Sequence, residues 1–323
     1  MNVIEFIDIP KSLKRGCVLR FIPRNPDPKY YAQRIDRNLG VITGEEQEIL
    51  RNSVVGIAGT GGMGGLIAAQ LTRVGIGEIR IADSETFDVS NINRQFGALR
   101  TNIGKSKALE TARMIRAITD DVTLEVYPQG ITEESVKTFV SGCDVICDEI
   151  EFLAIDARIL LHQQARTHNV SLLNCNSVWF GSYLFLYTPQ SMTMEEAIGL
   201  SYEKAKELRY KAMTGDIEAA ALIIKRMTRA VAPGLPEYRP HATETDHQAF
   251  SRRLYEEGRV PILGTNPLFA AGFLADRLVL YLLRKSGTPR EIRLLPEMPG
   301  YLYMDAACVE GKFSTKGWFD DVC

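Results

Sequence analysis

A glycine-rich run, GIAGTGGMGG at residues 56–65, lies between an apolar stretch typical of a strand and one typical of a helix. Glycines let backbone N–H groups at a helix N-terminus approach phosphate oxygens. Asp83 follows about twenty residues later, at the end of the next predicted strand, where a carboxylate can bind ribose hydroxyls. The pattern predicts a nucleotide-binding site. The alternatives are a glycine-rich turn that binds no ligand and a position for Asp83 as an ordinary acid on the surface at the strand end. A dinucleotide for hydride transfer and ATP for adenylation both fit the pattern.

Cations follow the second strand in the segment SNINRQFGALRTNIGKSKA, residues 90–108. Arg94 lies in a loop, and Lys105 and Lys107 fall in the first turn of a predicted helix. Positive charge there opposes the helix dipole unless an anion is bound. An arginine and a lysine beside a glycine loop suit a triphosphate, because a leaving pyrophosphate needs charge stabilisation and hydride transfer does not. The cations favour ATP, although Lys107 alone is also typical of a solvated helix start.

The carboxylates of Asp148, Glu149 and Glu151 crowd the end of the predicted strand in CDVICDEIEF, residues 143–152. Carboxylates that lie close together raise one another's pKa unless a cation separates them. Mg²⁺ suits this position because it is usually held by one or two carboxylates together with phosphates and water. The pattern predicts a magnesium site, with a capping or strand-end role for Asp148 as the alternative.

The composition is that of a globular protein of 323 residues, 45% hydrophobic and 24% charged, with a formal net charge of −2. Neither nucleic acid nor a membrane is expected as a partner on this balance, although a local basic groove stays open. Glu5, Asp8 and Pro10 interrupt the N-terminus, which has no signal-peptide core, and a cytoplasmic protein is expected. The stretch PLFAAGFLADRLVLYLL contains two charged residues and predicts a buried amphipathic helix. The six cysteines form no CxxC pair, so no zinc is expected.

Strands and helices alternate from Val54 to about residue 190, which predicts an α/β fold with a doubly wound, Rossmann-like, mainly parallel sheet and helices on both faces. The ligand should lie at the carboxyl ends of the strands. N-cap residues that start helices are predicted at Thr43, Thr132, Thr193, Asp216 and Asn266. The chain divides into 1–50, an arm and helix; 51–190, the nucleotide-binding core; 191–262, a helical insertion that recognises substrate; and 263–323, a helix and an antiparallel strand pair.

Taken together, GTGGMGG, Asp83, SNINRQ, Lys107 and the strand-end acid resemble the ThiF/MoeB/HesA superfamily, which includes the ubiquitin-activating enzymes. The resemblance covers about residues 31–190 and resumes after Asn266 and at GYLYMDAACVEGKF. NRQ after the acid of a Rossmann-like fold is a far more specific motif than the glycines.

The resemblance implies adenylation of a carboxylate with ATP and Mg²⁺, often on the C-terminus of a ubiquitin-like carrier protein or a peptide, by a homodimer. The family's metal-binding aspartate falls at Glu151, which Asp148 would assist. An arginine from the partner subunit is expected at Arg34, with Arg37 as second candidate. The remaining roles that the resemblance implies are nucleotide binding by Gly59, Gly61, Gly62, Gly64, Asp83, Glu85 and Asn91, and phosphate binding and catalysis by Arg94, Gln95 and Lys107.

The chain also departs from the family. Residues 176–307 contain no cysteine for a thioester, and Cys175 is expected to pack in a strand, so the acyl-adenylate would pass directly to an acceptor or collapse by internal attack. His162 and His168 are expected at ordinary surface or semi-buried positions, and His241 and His247 as substrate contacts or loop residues. The alternatives are a cyclase acting on threonylcarbamoyladenosine in tRNA, a non-catalytic partner subunit and, last, a nicotinamide dehydrogenase.

Overall fold

The computed structural model describes residues 17–23, 26–231, 243–307 and 309–315, which form one nine-stranded sheet flanked by helices. The strands in chain order are β1 (Leu19–Phe21), β2 (Val54–Ala58), β3 (Glu78–Ala82), β4 (Thr123–Tyr127), β5 (Val145–Asp148), β6 (Ser171–Val178), β7 (Gly181–Tyr187), β8 (Tyr301–Asp305) and β9 (Glu310–Ser314). The helices are α1 (Pro28–Ile35), α2 (Gly44–Arg51), α3 (Gly64–Val74), α4 (Lys107–Ile118), α5 (Val136–Val140), α6 (Ile155–Thr167), α7 (Met194–Ile198), α8 (Tyr202–Met213), α9 (Ile217–Val231), α10 (Glu244–Ser251) and α11 (Asn266–Lys285).

The strand order across the sheet is β1-β4-β3-β2-β5-β6-β7-β8-β9. Strands β4, β3, β2, β5 and β6 run parallel, and the order reverses at β2. A sheet of this kind binds its ligand outside the carboxyl ends of the strands where the order reverses. The predicted α/β fold, with its doubly wound core and antiparallel pair β8–β9, is confirmed. The antiparallel edge strand β1 was not predicted, because the segment 1–50 was assigned to an arm and a helix.

Helices cover both faces of this sheet. A buried cluster on one face joins it to α3, α4 and α11, as Ile67, Ile115 and Leu274 illustrate. The cluster on the other face joins α5 and α6 to the insertion helices α7, α8 and α9. The insertion therefore shares a core with the sheet rather than forming a separate body. Residues 232–242, which include His241 and most of the proline-rich loop, lie outside the described residues.

Helix α11 contains the longest apolar run of the sequence, and its length and composition alone would allow it to cross a membrane. In the structure it packs against α3, β6 and β7. Its residues Ala270, Leu274 and Leu278 are fully buried there. This packing is that of the predicted buried amphipathic helix.

Three of the predicted caps are present. Thr43 and Glu46 form a reciprocal capping box at the start of α2, and Thr193 and Glu196 form another at α7. The Asp216 carboxylate accepts a 3.0 Å hydrogen bond from the first turn of α9. These caps satisfy backbone N–H groups that a helix start leaves without partners.

Two predicted caps are wrong. Thr132 lies in a turn, and α5 begins only after Ser135. Asn266 is the first residue of α11 rather than its N-cap. Its amide nitrogen instead donates hydrogen bonds to the carbonyl oxygens of Trp179 and Gly181, at 2.7 and 2.9 Å. Asn266 therefore anchors α11 to the β6–β7 turn.

Candidate active site

A cavity of about 1020 Å³ opens at the carboxyl ends of the parallel strands and extends beneath the insertion. We divide it into two parts. The nucleotide region lies at the glycine loop. The insertion region contains the cavity-lining residues of α8, of α10 and of the chain between α10 and α11. The predicted site residues that line the nucleotide region are Gly59, Gly61, Gly62, Asp83, Glu85, Asn91, Arg94, Gln95, Lys107 and Glu151. The structure thus brings together residues that lie up to 92 positions apart, from Gly59 to Glu151.

Glycine is required by geometry at two points of the loop. Gly59 has a φ of +97°, and a Cβ there would lie 2.1 Å from the carbonyl oxygen of Glu149. A Cβ on Gly64, the first residue of α3, would lie 1.9 Å from the carbonyl oxygen of Gly59. At Gly62 the nearest atom to such a Cβ would be 3.6 Å away, an ordinary contact. The loop is therefore packed tightly against backbone atoms at Gly59 and Gly64, and it has room for a side-chain atom at Gly62.

Asp83 directly follows β3 at the edge of the cavity, and its carboxylate holds the glycine loop in place. One carboxylate oxygen accepts hydrogen bonds from the backbone N–H and the hydroxyl of Thr60, at 2.7 and 3.1 Å. The other accepts from the backbone N–H of Glu85 at 2.8 Å. Burial raises the pKa of this carboxyl, against the opposing effect of those hydrogen bonds. A structural role for Asp83 thus accompanies the predicted ribose contact.

The two predicted phosphate-binding cations reach the cavity from different elements. The Lys107 ammonium, in the first turn of α4, lies 2.6 Å from Oε2 of Glu85. Arg94 is half-buried, and its Nη1 donates to the carbonyl oxygen of Ser90 and the side-chain oxygen of Asn93, each at 3.0 Å. Burial lowers the pKa of its guanidinium. Both cations can therefore contact an anion that is bound at the glycine loop.

Two polar side chains support this arrangement. The side-chain oxygen of Asn91 accepts a 3.1 Å hydrogen bond from the backbone of Asp88, which fixes the turn that carries Arg94. Gln95 is buried next to the glycine loop, and its side-chain oxygen has no hydrogen-bond partner in the described parts of the chain. Buried acceptors are normally satisfied, so this oxygen marks a position for a donor from a ligand or from water.

Asp148, the predicted second metal ligand, is not among the residues that line the cavity. Its carboxylate is fully buried and accepts a 3.1 Å bond from the backbone of Ile150. It also lies 2.9 Å from Nε2 of His162 and 3.5 Å from Nε of Arg158. Burial alone would raise the pKa of Asp148, but Arg158 and His162 hold it below its ordinary value. His162 is likewise a buried partner of this acid rather than the surface or semi-buried residue expected.

Glu149 and Glu151 do line the cavity, as alternate residues after β5. Burial raises the pKa of Glu149 well above its ordinary value, and the charge of Asp148 adds to the effect. Glu151 is accessible from within the cavity yet closely surrounded by protein, so burial and the charge of Glu85 raise its pKa. A divalent cation would relieve this repulsion, and one or two carboxylates with phosphate oxygens suffice for Mg²⁺. The described ranges contain no cluster of three or more metal-binding side chains.

Arg34 does not reach the cavity of its own chain. Its Nε and Nη2 donate to both carboxylate oxygens of Asp121, at 2.8 and 2.9 Å, and its Nη1 donates to the carbonyl oxygen of Thr72 at 2.9 Å. It therefore ties α1 to α3 and to the loop before β4. Arg37, the second candidate, is exposed. A contact of Arg34 or Arg37 with the nucleotide of a partner subunit stays a prediction.

Other sequence candidates play smaller parts. Cys175 is fully buried in β6 and burial raises the pKa of its thiol well above the ordinary value, which agrees with the expected packing role. His247 lies in α10, with its ring 5.6 Å from that of Trp179. His168 is half-buried next to the Gln164 carbonyl oxygen.

The individual residues of the insertion region were not predicted from the sequence. Lys206 and Tyr202 on α8 contact Glu133 at 2.6 and 2.8 Å. Arg209 contacts Asp156 at 2.7 Å. These contacts hold α8 against the core beside the cavity. The partners are 53 to 73 positions apart in the chain, and no local pattern connects them.

Comparison with known proteins agrees with this geometry. The ThiF family model matches residues 35–301. The chain is 28% identical to the sulfur carrier protein adenylyltransferase of Thermus thermophilus, over 41% of the chain and 50% of that protein. It is 31% identical to the adenylyltransferase and sulfurtransferase UBA4 of Candida albicans, over 41% and 31%. The chain spans between 20% and 56% of the length of eight curated relatives that it matches.

Solved structures show the same fold. PaaA, in its selenomethionine form, aligns with a TM-score of 0.59 at 16% identity, over 92% of this chain and 86% of that one. Escherichia coli MccB with ATP aligns with a TM-score of 0.58 at 15% identity, over 92% and 74%. The resemblance inferred from the motifs is confirmed by a family match over most of the chain. The chain belongs to the ThiF family.

Proposed function

We propose that this chain adenylates a carboxylate with ATP and Mg²⁺ and releases pyrophosphate. The observation that carries the proposal is the convergence of the glycine loop, Asp83, Arg94 and Lys107 on one cavity. Relatives named as adenylyltransferases support the choice of reaction.

In the proposed reaction, a substrate carboxylate oxygen attacks the α-phosphorus of ATP while the bond from that phosphorus to the bridging oxygen of pyrophosphate breaks. The substrate gains AMP as a mixed anhydride. Arg94 and Lys107 stabilise the charge that moves onto the leaving pyrophosphate. Glu151 would hold Mg²⁺, which neutralises phosphate charge when bound. Asp83 and Glu85 would orient the ribose, and the walls of the cavity would limit access of water to the anhydride.

The proposed substrate is the free C-terminal carboxylate of a small carrier protein or a peptide. Two relatives are named for sulfur carrier proteins, and solved structures of MccB contain MccA. We also propose a homodimer in which an arginine near the N-terminus contacts the nucleotide of the partner.

The test is carboxylate-dependent exchange of pyrophosphate into ATP, with glycine-terminated carriers and short peptides as substrates. Exchange that depends on both the acid and Mg²⁺ supports the proposal. ATP binding measured separately identifies a non-catalytic partner subunit, which would bind ATP and give no exchange. Tight NAD binding without ATP binding would overturn the proposal.

A further inference from the structure

We propose that the activated substrate is a peptide whose C-terminal residue carries a large apolar or aromatic side chain, and that this side chain fills the insertion region. The inference rests on the proposed adenylation and names its substrate class. It separates such a peptide from a carrier that ends in consecutive glycines.

The insertion region differs in chemistry from the nucleotide region. Its lining includes Tyr202, Tyr210 and Met213 of α8, together with Phe250, Leu254 and Ile262. Phe250 stacks on Trp179 with ring centroids 5.1 Å apart. Aromatic and aliphatic walls of this kind bind apolar groups because burial removes those groups from water.

The two cations of α8 that line the cavity are already paired. Lys206 lies 2.6 Å from Glu133, and Arg209 lies 2.7 Å from Asp156. A charged substrate side chain would have to break one of these pairs or remain without a partner. An apolar side chain breaks no ion pair and requires no polar partner, so the electrostatics favour an uncharged occupant.

The cavity is large enough to hold a substrate side chain together with a nucleotide. Its volume of about 1020 Å³ is at the upper end of the range, roughly 300–1,000 Å³, for sites that hold one drug-sized ligand. A tail of glycines would leave the aromatic walls in contact with water. A large side chain that adjoins the reacting carboxylate would cover them.

An unpaired donor at the cavity is available for a hydrogen bond to a bound peptide. Arg158 lines the cavity and is 1% exposed, and its Nη1 has no hydrogen-bond partner within the described ranges. Its Nη2 donates to the carbonyl oxygen of Ile150, which fixes the guanidinium in place. A buried N–H without an acceptor is costly. A backbone carbonyl of a bound peptide would supply that acceptor.

The first test compares peptides that are identical except for the last two residues, which are Gly-Gly, Gly-Leu, Gly-Phe, Gly-Asp or Gly-Lys, by pyrophosphate exchange. We expect KM for the Leu and Phe peptides to be about tenfold or more below that for Gly-Gly, since burial of one such side chain is worth about that factor or more. Equal or lower KM for Gly-Gly, Asp or Lys would overturn this inference and leave adenylation standing. Absence of exchange with every peptide and with a glycine-terminated carrier would overturn both.

The second test changes the wall without changing the nucleotide region. Tyr210 and Met213 are 71% and 76% exposed at the mouth of the cavity, so Tyr210→Glu and Met213→Glu should fold normally. Each should raise KM for the Phe peptide about tenfold and leave KM for ATP unchanged. Ile217→Glu is the matched control, because Ile217 is 74% exposed and is not among the lining residues of the cavity. Equal effects of all three substitutions, or none, would contradict the proposal.

Discussion

The ammonium nitrogen of Lys107 lies 2.6 Å from Oε2 of Glu85, and the lysine side chain is only 5% exposed. Helix α4 therefore begins with a cation that faces the cavity and is already paired with an acid of the same site. This pairing holds the ammonium group at the wall of the cavity before a phosphate binds. It also accounts for a positive charge at a helix N-terminus, where the dipole alone would disfavour it.

Replacement of Lys107 by alanine should reduce pyrophosphate exchange by roughly 10²–10³-fold, the effect of losing one group that stabilises transition-state charge. The matched control is Lys105→Ala, because Lys105 is exposed in the loop just before α4. That variant should keep most of the activity. Similar losses in the two variants would contradict a specific role for Lys107, because they would show that only the positive charge of the side chain matters and not its position in the cavity.

The glycine loop offers a test that separates folding from binding. Gly59→Ala and Gly64→Ala place a Cβ within 2.1 and 1.9 Å of backbone oxygens, so both should unfold at clearly lower denaturant concentration. Gly62→Ala adds only an ordinary contact and should keep its stability. Gly62 lines the cavity, so an added methyl group there should raise KM for ATP. Loss of stability in Gly62→Ala comparable to that in Gly59→Ala would contradict this account.

Arg34 and Arg37 should differ in what their removal affects. Arg34→Ala removes two hydrogen bonds to Asp121 and should lower the free energy of unfolding by about 1.5–3 kcal/mol, the range for hydrogen bonds to charged groups. Arg37 is exposed, and Arg37→Ala should leave stability unchanged. Urea denaturation of both variants measures this. A stability loss in Arg37→Ala that equals the loss in Arg34→Ala would contradict the structural assignment.

The proposed homodimer makes a separate prediction for the same pair. If Arg37 contacts the nucleotide of the partner, Arg37→Ala should lower exchange while sedimentation shows an unchanged dimer. Mixing Arg37→Ala with Lys107→Ala should then restore part of the activity, because one of the two sites in the mixed dimer has both residues. No recovery on mixing would contradict a contribution from the partner subunit.

Glu149 should make stability depend on pH. Its folded pKa is raised by burial, so between about 4.5 and that higher value the folded chain binds a proton that the unfolded chain has lost. The contribution of this carboxyl to stability therefore falls as pH rises through that window. Glu149→Gln removes the titrating group. As the pH rises, the free energy of unfolding of this variant should therefore increase relative to that of the wild type, by up to about 1.4 kcal/mol per pH unit. Parallel curves of unfolding free energy against pH for the two proteins would contradict this.

Much of the nucleotide region could be predicted because its signals are local. Arg94 and Lys107 follow β3 closely, and the glycine loop joins adjacent elements. Asp148 shows the limit: successive residues of a strand point to opposite faces, so Asp148 and Glu149 could not share one site. Sequence alone did not show which of the two faces would meet the ligand.

The contacts that could not be predicted are long-range. Arg34 pairs with Asp121, 87 positions away, and its charge alone did not distinguish this bond from a contact in a partner subunit. The lining of the insertion region likewise depends on how α8 packs on α6, which no spacing in the sequence specifies.

The insertion leaves the core after β7 and returns to it at α11, where Asn266 holds the returning chain to the β6–β7 turn. The part of the molecule that would distinguish one acid from another is therefore a single continuous stretch of chain between two fixed anchor points. Substitutions within that stretch can accumulate over evolutionary time without disturbing the residues that face the phosphates. In related chains with the same nucleotide region, different residues in this stretch would select different substrates.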